Sequence, residues 1–315
     1  MTYQPPKIYF NGHIETILPA LLRKVNEVDY RRERITTKDG DFLDIDWLKN
    51  DSKTAVIISH GLEGDSQRPY IKGMARAFSN EEFDVLAWNY RGCSGEMNRK
   101  LRFYHSGATD DLQEVVDHAL RLGYERIFLI GFSLGGNITL KYLGEQGSNI
   151  HSRINGAVAF SVPLNLHSSC ITISQPSNFI YSKRFLINLK DKIRSKAEIM
   201  PEELDTTKLN EIKTLIAFDD NYTAPIHGFK SAIHYYESCS SLHFLNDIKI
   251  PTLVVNALND PFLSDDCYPE QEMRQHQYVT LETPLRGGHV GFTSFNPEKM
   301  YWSELRALAF VRELI

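Results

Sequence analysis

The sequence predicts an α/β fold in which a mostly parallel central sheet is flanked by helices and interrupted by an inserted helical cap. Two observations support this prediction. Short apolar segments alternate with amphipathic helical patterns through the first half of the chain, and a more polar segment over about 165–247 interrupts this alternation before apolar strands return. Repetition of strand, helix and strand is typical of a parallel sheet with helices on both faces.

The size and composition of the chain are those of a folded α/β protein. Of its 315 residues, 42% are hydrophobic and 24% are charged, which suits one large domain or two smaller ones. We expect a single domain over 1–315, with an N-terminal segment over 1–30 and the cap over about 165–247. The formal charge of −5 argues against a nucleic-acid partner.

Six apolar segments predict the strands of the sheet. In chain order these segments are 55–59, 85–90, 126–130, 157–162, 250–256 and 278–281. Before the third of them, Thr109 is a suitable N-cap for a helix, and Asp110 and Asp111 suit the positive end of its dipole. The cap segment is rich in Lys, Asn, Ser and Tyr and predicts several helices with irregular joints.

The N-terminal segment predicts neither a secretion signal nor a membrane span. Polar residues and Pro19 interrupt its apolar stretches, and the chain has no run of about 18 apolar residues. The four cysteines are far apart and predict free thiols in a reducing compartment. We therefore expect a cytoplasmic protein without an integral membrane segment. An apolar stripe predicts an N-terminal helix, which more commonly docks on the protein's own surface but could also contact lipid. The stripe is Ile14, Ile17, Leu18, Leu21 and Leu22.

A glycine-rich motif follows the third predicted strand. The stretch over 131–137 is GFSLGGN, and a helical pattern continues after it. The motif has Ser133 at the third position, where a dinucleotide fingerprint needs glycine, and it lacks the lysine of a phosphate-binding loop. It matches G-x-S-x-G, in which the serine lies on a sharp turn from strand to helix. Ser133 is thus a candidate nucleophile, although glycines at a strand end are also typical of an ordinary turn.

A serine nucleophile needs a histidine base and an acid that orients the histidine. In hydrolases with this motif the order along the chain is serine, acid, histidine, with each residue at the end of a strand. Asp260 follows the fifth predicted strand, and His289 follows the last one between flexible glycines. The rival acids Asp265 and Asp266 lie farther from the strand, and Asp260 before a proline could also begin a turn.

Two backbone amides are needed to bind the oxyanion of a tetrahedral intermediate. The amide of Leu134, directly after the nucleophile, is one candidate. The other is the amide of Leu62, in the loop after the first predicted strand. His60 in the same loop is a residue that we expect to brace the loop rather than to transfer protons.

Motifs along nearly the whole chain resemble those of one known family. The sequence resembles the α/β-hydrolases, and more narrowly the YheT-type family that includes the mammalian ABHD acylglycerol lipases and yeast ethanol acyltransferases. The resembling motifs lie over 13–19, 60–64, 90–96, 104–107, 131–137, 219–225 and 287–292. The resemblance implies that Ser133 is the nucleophile, Asp260 the acid and His289 the base, and that the substrates are carboxylic esters. It also implies that the cap is a helical lid over the acyl pocket.

Together these features predict a serine carboxylesterase that hydrolyses short- to medium-chain acyl esters through an acyl-enzyme. The partner that we expect is a small-molecule ester, and neither a cofactor nor a metal is needed for this chemistry. An acyltransferase would use the same acyl-enzyme with an alcohol in place of water. A noncatalytic ligand-binding protein could use the same pocket, although an intact triad argues against it.

Overall fold

The computed structural model describes residues 2–315, and its centre is a single eight-stranded sheet. The strands are β1 (Arg31–Thr36), β2 (Phe42–Leu48), β3 (Thr54–Ser59), β4 (Asp84–Asn89), β5 (Arg126–Phe132), β6 (Ile154–Phe160), β7 (Thr252–Val255) and β8 (Val279–Glu282). Their order across the sheet is β1-β2-β4-β3-β5-β6-β7-β8. The pairs β1–β2 and β2–β4 are antiparallel, and all other neighbouring strands run parallel. The predicted α/β fold with a mostly parallel sheet is confirmed.

Helices cover both faces of this sheet. The helices are α1 (Gly12–Leu22), α2 (Pro69–Ser79), α3 (Thr109–Arg121), α4 (Leu134–Gln146), α5 (Leu166–Ile173), α6 (Phe179–Ile199), α7 (Leu215–Phe218), α8 (Ala224–Ile226), α9 (Ala232–Cys239), α10 (Glu270–Met273) and α11 (Trp302–Arg312). Among the described residues, no helix combines the length and the apolarity needed to cross a bilayer.

Successive side chains of the central strands enter two different cores, as the alternation of side chains along a strand requires. Ile57 of β3 packs in a core with residues of α3 and α4. Its neighbours Val56 and Ile58 pack in a second core with residues of α2 and α11. Because the central strands are covered on both sides, their sequences are continuously apolar rather than alternating.

The predicted strands agree with the structure, with one shift at β6. The prediction over 157–162 extends two residues beyond the end of this strand at Phe160. The chain leaves the sheet there because Ser161 adopts a left-handed conformation, with φ of 52°. The first two strands, β1 and β2, were not predicted.

One local prediction was wrong, and a second holds only in part. Thr109 is not the N-cap of α3: the cap is Ala108, and the Thr109 hydroxyl donates instead to Glu145 at 2.6 Å. Helix α1 docks on the protein as predicted, but only part of its apolar stripe faces the protein, where Ile14, Ile17 and Leu18 are partly buried. Leu21 and Leu22 are 67% and 68% exposed, whereas the buried residues of the helix are glycine, glutamate and proline.

The chain between β6 and β7 forms a helical segment over 161–251 that contains α5 to α9. The longest of these helices is α6, with 21 residues. A π-helical turn, Asp219–Thr223, joins α7 to α8, and turns of this kind are frequent at functional sites.

Candidate active site

Ser133 lies at the bend between β5 and α4, in a backbone conformation that serine rarely adopts. Its φ is 53° and its ψ is −119°, and positive φ is uncommon for residues other than glycine. The backbone N–H of Ser133 donates a hydrogen bond to the carbonyl oxygen of Phe160 at 2.9 Å, which fixes the bend against β6. Backbone strain persists where the surrounding contacts over-determine it, and it is common at functional sites.

Two glycines make room for this bend. A Cβ atom on Gly131 would clash with the carbonyl oxygen of Gly135, and a Cβ atom on Gly135 would clash with the carbonyl oxygens of Ser59 and His60. The first turn of α4 therefore packs directly against backbone at the ends of β3 and β5. The spacing of glycines around Ser133 is a steric requirement of the turn.

Ser133, His289 and Asp260 form a continuous series of hydrogen bonds. The distance from His289 Nε2 to Ser133 Oγ is 2.9 Å. On the other side of the ring, His289 Nδ1 lies 2.8 Å from Asp260 Oδ2 and 3.1 Å from Asp260 Oδ1. The Asp260 side chain is fully buried, and that of His289 is 10% exposed. These contacts join three residues that are far apart in the sequence.

The loop after β7 fixes the Asp260 carboxylate and packs on the imidazole. The backbone N–H of Phe262 donates to Asp260 Oδ1 at 2.9 Å. The centroid of the Phe262 ring lies 4.1 Å from that of His289. The hydrogen bond holds the carboxylate in place, and the aromatic ring limits the rotation of the imidazole.

The loop after β8 carries His289 through a series of unusual backbone conformations. Gly287 and Gly288 have φ of 150° and 57°, and Val290 has φ of 60°. The strained Val290 is held by a hydrogen bond from its N–H to Ser161 Oγ at 2.8 Å. The left-handed end of β6 therefore supports the loop that presents the histidine.

The two rival acids do not contact His289. Asp265 and Asp266 are exposed and lie on a short 3₁₀ turn after the Asp260 loop. The Asp266 carboxylate accepts a hydrogen bond from the Asn165 side chain at 3.2 Å. Of the three aspartates considered from the sequence, Asp260 is the one whose carboxylate bonds to the imidazole.

The amides of Leu62 and Leu134 lie on two backbone segments beside Ser133. Leu134 is the first residue of α4, where backbone N–H groups lack intrahelical acceptors and the helix dipole favours negative charge. The loop that carries Leu62 approaches closely, because a Cβ atom on Gly61 would lie 3.3 Å from Ser133 Cβ. Within residues 2–315, neither amide donates to a protein acceptor.

His60 is occupied by hydrogen bonds to the backbone. Its Nδ1 lies 2.8 Å from the carbonyl oxygen of Gly61, and its Nε2 accepts from the N–H of Tyr90 at 3.3 Å. Burial lowers the pKa of His60 to about 3. The imidazole is therefore neutral near pH 7 and braces the loop, as the sequence predicts.

An ion pair that the sequence did not predict joins this loop to the helical segment. The Lys192 ammonium of α6 lies 2.8 Å from Glu63 Oε1, and both side chains are nearly buried. The same carboxylate oxygen accepts a hydrogen bond from the Tyr104 hydroxyl at 2.6 Å. Glu63 directly follows Leu62, so the position of the Leu62 amide is coupled to α6. No local sequence pattern marks a pair whose members are so far apart in the chain.

Two cavities meet at Ser133. The first has a volume of about 160 Å³ and extends beneath the helical segment. Its apolar wall includes Leu166, Ile173, Leu189, Ile193, Leu215 and Phe218. The second has a volume of about 370 Å³ and lies between α1, the loop over 61–64 and the start of α6. Ser133, His289, Leu62, Phe185 and Phe262 line both cavities.

The wall of the second cavity includes charged and amide side chains. Arg68, Arg184 and Asn188 contribute to its wall together with apolar residues of α1. Among residues 2–315, no group of three or more His, Cys, Asp or Glu side chains is arranged to hold a metal ion.

The sequence over 54–292 matches the family model described as the alpha/beta hydrolase fold. The chain belongs to the α/β-hydrolase family. The matched range includes Ser133, Asp260 and His289 and the helical segment between β6 and β7.

This α/β hydrolase is similar to proteins from bacteria, animals and archaea. It is 33% identical over 312 residues to YheT of Escherichia coli (strain K12), covering 96% of this chain and 90% of YheT. It is 28% identical over 302 residues to phospholipase ABHD3 of Homo sapiens, covering 92% of this chain and 73% of that protein. The solved structure of the Pyrococcus furiosus esterase Pf2001 superposes with a TM-score of 0.60 at 18% identity, covering 93% of this chain and 98% of that one. This last likeness concerns the fold alone.

Proposed function

We propose that this α/β hydrolase is a serine carboxylesterase that hydrolyses short- to medium-chain acyl esters through an acyl-enzyme. At the level of reaction class, the chain is a carboxylic ester hydrolase. The observation that carries the proposal is the series of hydrogen bonds from Asp260 through His289 to Ser133, at the junction of two cavities. Similarity to a phospholipase supports an ester substrate.

In the first half of the reaction, Ser133 Oγ attacks the carbonyl carbon while His289 Nε2 accepts the hydroxyl proton. Asp260 holds the N–H of Nδ1 and stabilises the imidazolium that forms. The amides of Leu62 and Leu134 donate to the carbonyl oxygen as it becomes an oxyanion. The C–O bond to the alcohol then breaks as the imidazolium returns its proton to the leaving oxygen.

In the second half, water replaces the alcohol. His289 Nε2 accepts a proton from the water as its oxygen attacks the acyl carbon. The second tetrahedral intermediate collapses, the bond to Ser133 Oγ breaks, and the proton passes to that oxygen. The products are a carboxylic acid and the free enzyme.

The two cavities suggest how an ester divides across the nucleophile. The apolar first cavity suits the acyl chain, and the second, with arginine and asparagine at its wall, suits the alcohol. A volume of about 160 Å³ is small beside the roughly 300–1,000 Å³ of pockets for drug-sized ligands. This size supports short- to medium-chain acyl groups, with the helical segment acting as a lid.

The second cavity also favours one alternative, in which an alcohol rather than water attacks the acyl-enzyme. The cavity reaches Ser133 and is large enough to hold a small alcohol after the first alcohol has left. Turnover of one acyl ester in the presence of increasing ethanol separates the two activities. Formation of the ethyl ester in place of the acid would identify an acyltransferase.

Replacement of Ser133 tests the proposal directly. We expect Ser133→Ala to lose turnover of p-nitrophenyl esters by several orders of magnitude, because loss of a serine nucleophile costs about 10⁶-fold in kcat in a well-studied triad. Labelling by a fluorophosphonate should disappear with it, while the melting temperature should stay near that of the parent. Persistent labelling of the variant, or a parent protein that neither labels nor hydrolyses esters, would contradict the assignment. The second result would favour a noncatalytic ligand-binding role.

A further inference from the structure

The first turn of α1 lies between the two loops that carry Asp260 and His289. Gly12 packs so closely on the first loop that a Cβ atom there would clash with the carbonyl oxygen of Asn259. On the second loop, a Cβ atom on Gly288 would lie 2.8 Å from Glu15 Cβ, and one on Gly291 would clash with the Glu15 carbonyl oxygen. Three glycines thus allow backbone to approach backbone on both sides of the helix.

The Glu15 carboxylate joins the two loops. It is 1% exposed, and its Oε2 accepts from the Asn259 side-chain amide at 2.6 Å and from the backbone N–H of Gly287 at 2.9 Å. Its Oε1 forms an ion pair with Arg286 at 2.6 Å. Asn259 immediately precedes Asp260, and Gly287 is two residues before His289. One buried carboxylate therefore fixes the spacing between the acid and the base.

Thr16 adds a direct contact to the main chain of the histidine. The backbone N–H of His289 donates to Thr16 Oγ1 at 2.9 Å, and that hydroxyl donates in turn to the carbonyl oxygen of Gly12 at 2.6 Å. The Asn259 side chain completes the arrangement, because its Oδ1 accepts from the N–H of Gly288 at 3.0 Å.

These contacts explain why α1 buries a carboxylate while Leu21 and Leu22 remain exposed. Burying an unpaired carboxylate is strongly unfavourable, so the charge is tolerated where Arg286 and two donors meet it. A helix held mainly by apolar packing would bury its leucines instead. The first turn of α1 therefore holds the two loops through polar contacts rather than through apolar packing.

We propose that Glu15 and Thr16 are positioning residues that hold the Asp260 and His289 loops in register for catalysis. Neither side chain reacts with substrate. Their effect on the rate passes through the distances from His289 to Asp260 and Ser133, and the inference rests on the proposed function of those three residues.

The test compares Glu15→Gln with Glu304→Gln. Glu304 is a matched control because it is also 1% exposed and pairs with an arginine, Arg23, at 2.5 Å, while its hydrogen bond comes from the backbone N–H of Tyr301 and not from the residues beside Asp260 or His289. We expect Glu15→Gln to lower kcat on an activated ester by about 10- to 100-fold with little change in KM, since small misplacements of catalytic groups carry costs of this size. Glu304→Gln should lower the melting temperature and leave kcat within about threefold of the parent.

A double-mutant cycle separates positioning from general stability. In an Asp260→Asn background the imidazole is no longer oriented by its acid, so Glu15→Gln should cost less than about threefold there. Thr16→Val, which keeps the shape but removes the acceptor for the His289 amide, should lower kcat, and Thr16→Ser should retain it. These two milder variants keep the inference testable if Glu15→Gln folds poorly.

The outcomes distinguish the two claims. Two results with an active parent would overturn the positioning role alone. The first is an equal loss of kcat in Glu15→Gln and Glu304→Gln. The second is a loss of kcat from Glu15→Gln that is the same with and without Asp260→Asn. A parent without turnover and without labelling at Ser133 would overturn the proposed function, and the positioning role with it.

Discussion

Asp260 contacts His289 from a position with no exposed side-chain surface. An ionised carboxylate so placed must be paired or hydrogen-bonded, and here it meets the His289 Nδ1 and a backbone N–H. In the proposed mechanism, the bond to Nδ1 determines which imidazole nitrogen carries the proton and leaves Nε2 free to accept the proton of Ser133.

Asp260→Asn tests this role. The amide keeps the shape of the carboxylate but favours the wrong imidazole tautomer, a change that costs about 10⁴-fold in kcat in a comparable protease triad. We expect a loss of several orders of magnitude in steady-state rate, with Asp265→Asn and Asp266→Asn within about tenfold of the parent. Melting curves must show that all three variants are folded. Near-parent activity in a folded Asp260→Asn protein would assign the acid role elsewhere.

At the scale of elements, α5 and α6 each carry an isoleucine that differs from the other in its place relative to the first cavity. Ile173 at the end of α5 is buried against Leu215 and Phe262 and faces the first cavity. Ile187 on α6 is 47% exposed and lines neither cavity at Ser133. Since both residues are isoleucines on helices of the same segment, they form a matched pair for testing whether that segment sets acyl specificity.

We expect Ile173→Phe to shift the preferred acyl chain toward shorter esters, because the larger ring removes volume from the first cavity. Ile187→Phe should leave the preference unchanged. Rates on a series of p-nitrophenyl esters of increasing chain length measure the shift, and labelling of Ser133 by a small fluorophosphonate checks that the chemistry is intact. Identical chain-length profiles for the two variants and the parent would show that this wall does not shape specificity.

At the scale of the whole molecule, we expect the free energy of unfolding to depend on pH through Asp219, which lines the first cavity. Asp219 lies on the π-helical turn and accepts hydrogen bonds from the hydroxyls of Thr223 and Tyr236. Burial raises its pKa from 3.8 to about 6. Between those two values the folded protein holds a proton that the unfolded chain has released, so this group makes stability fall as the pH rises through the window.

Asp219→Asn should remove that contribution. We expect the free energy of unfolding of the variant, relative to the parent, to rise between about pH 4 and pH 6 and to level off above it. Denaturant titrations at half-unit pH intervals measure the difference. The exposed neighbour Asp220 provides the control: an identical profile for Asp220→Asn would show that the effect does not come from Asp219.

Local patterns in the sequence were sufficient to predict most strands and the candidate triad. Buried parallel strands are continuously apolar, and the nucleophile motif has steric requirements that fix its spacing. The same reasoning missed β1 and β2, because β1 is largely charged and exposed and β2 contains two buried aspartates. Cross-strand ion pairs of Arg32 with Asp46 and of Arg34 with Asp44 make these strands possible. Such pairs become visible only once the strand register is known.

The supporting contacts of the site were beyond prediction for a related reason. Glu15 is separated from Gly287 by 272 positions, and Lys192 and Glu63 lie in different halves of the chain. Neither pair has a fixed spacing that a motif could encode. The apolar stripe of α1 was also a poor guide to the face that docks. Close backbone contact and a buried carboxylate determine that face, and apolar periodicity reveals neither.

The contacts between Glu15 and the two loops also have a consequence for the synthesis of the chain. Helix α1 is made before the residues that bind the Glu15 carboxylate, which are 259, 286 and 287. Until these residues emerge from the ribosome, the Glu15 carboxylate must remain hydrated, because its desolvation without partners is unfavourable. Helix α1 cannot dock on the two loops before then. Docking of α1 on these two loops therefore follows the synthesis of residue 287. Under the proposed function, a growing chain has no esterase activity before that point.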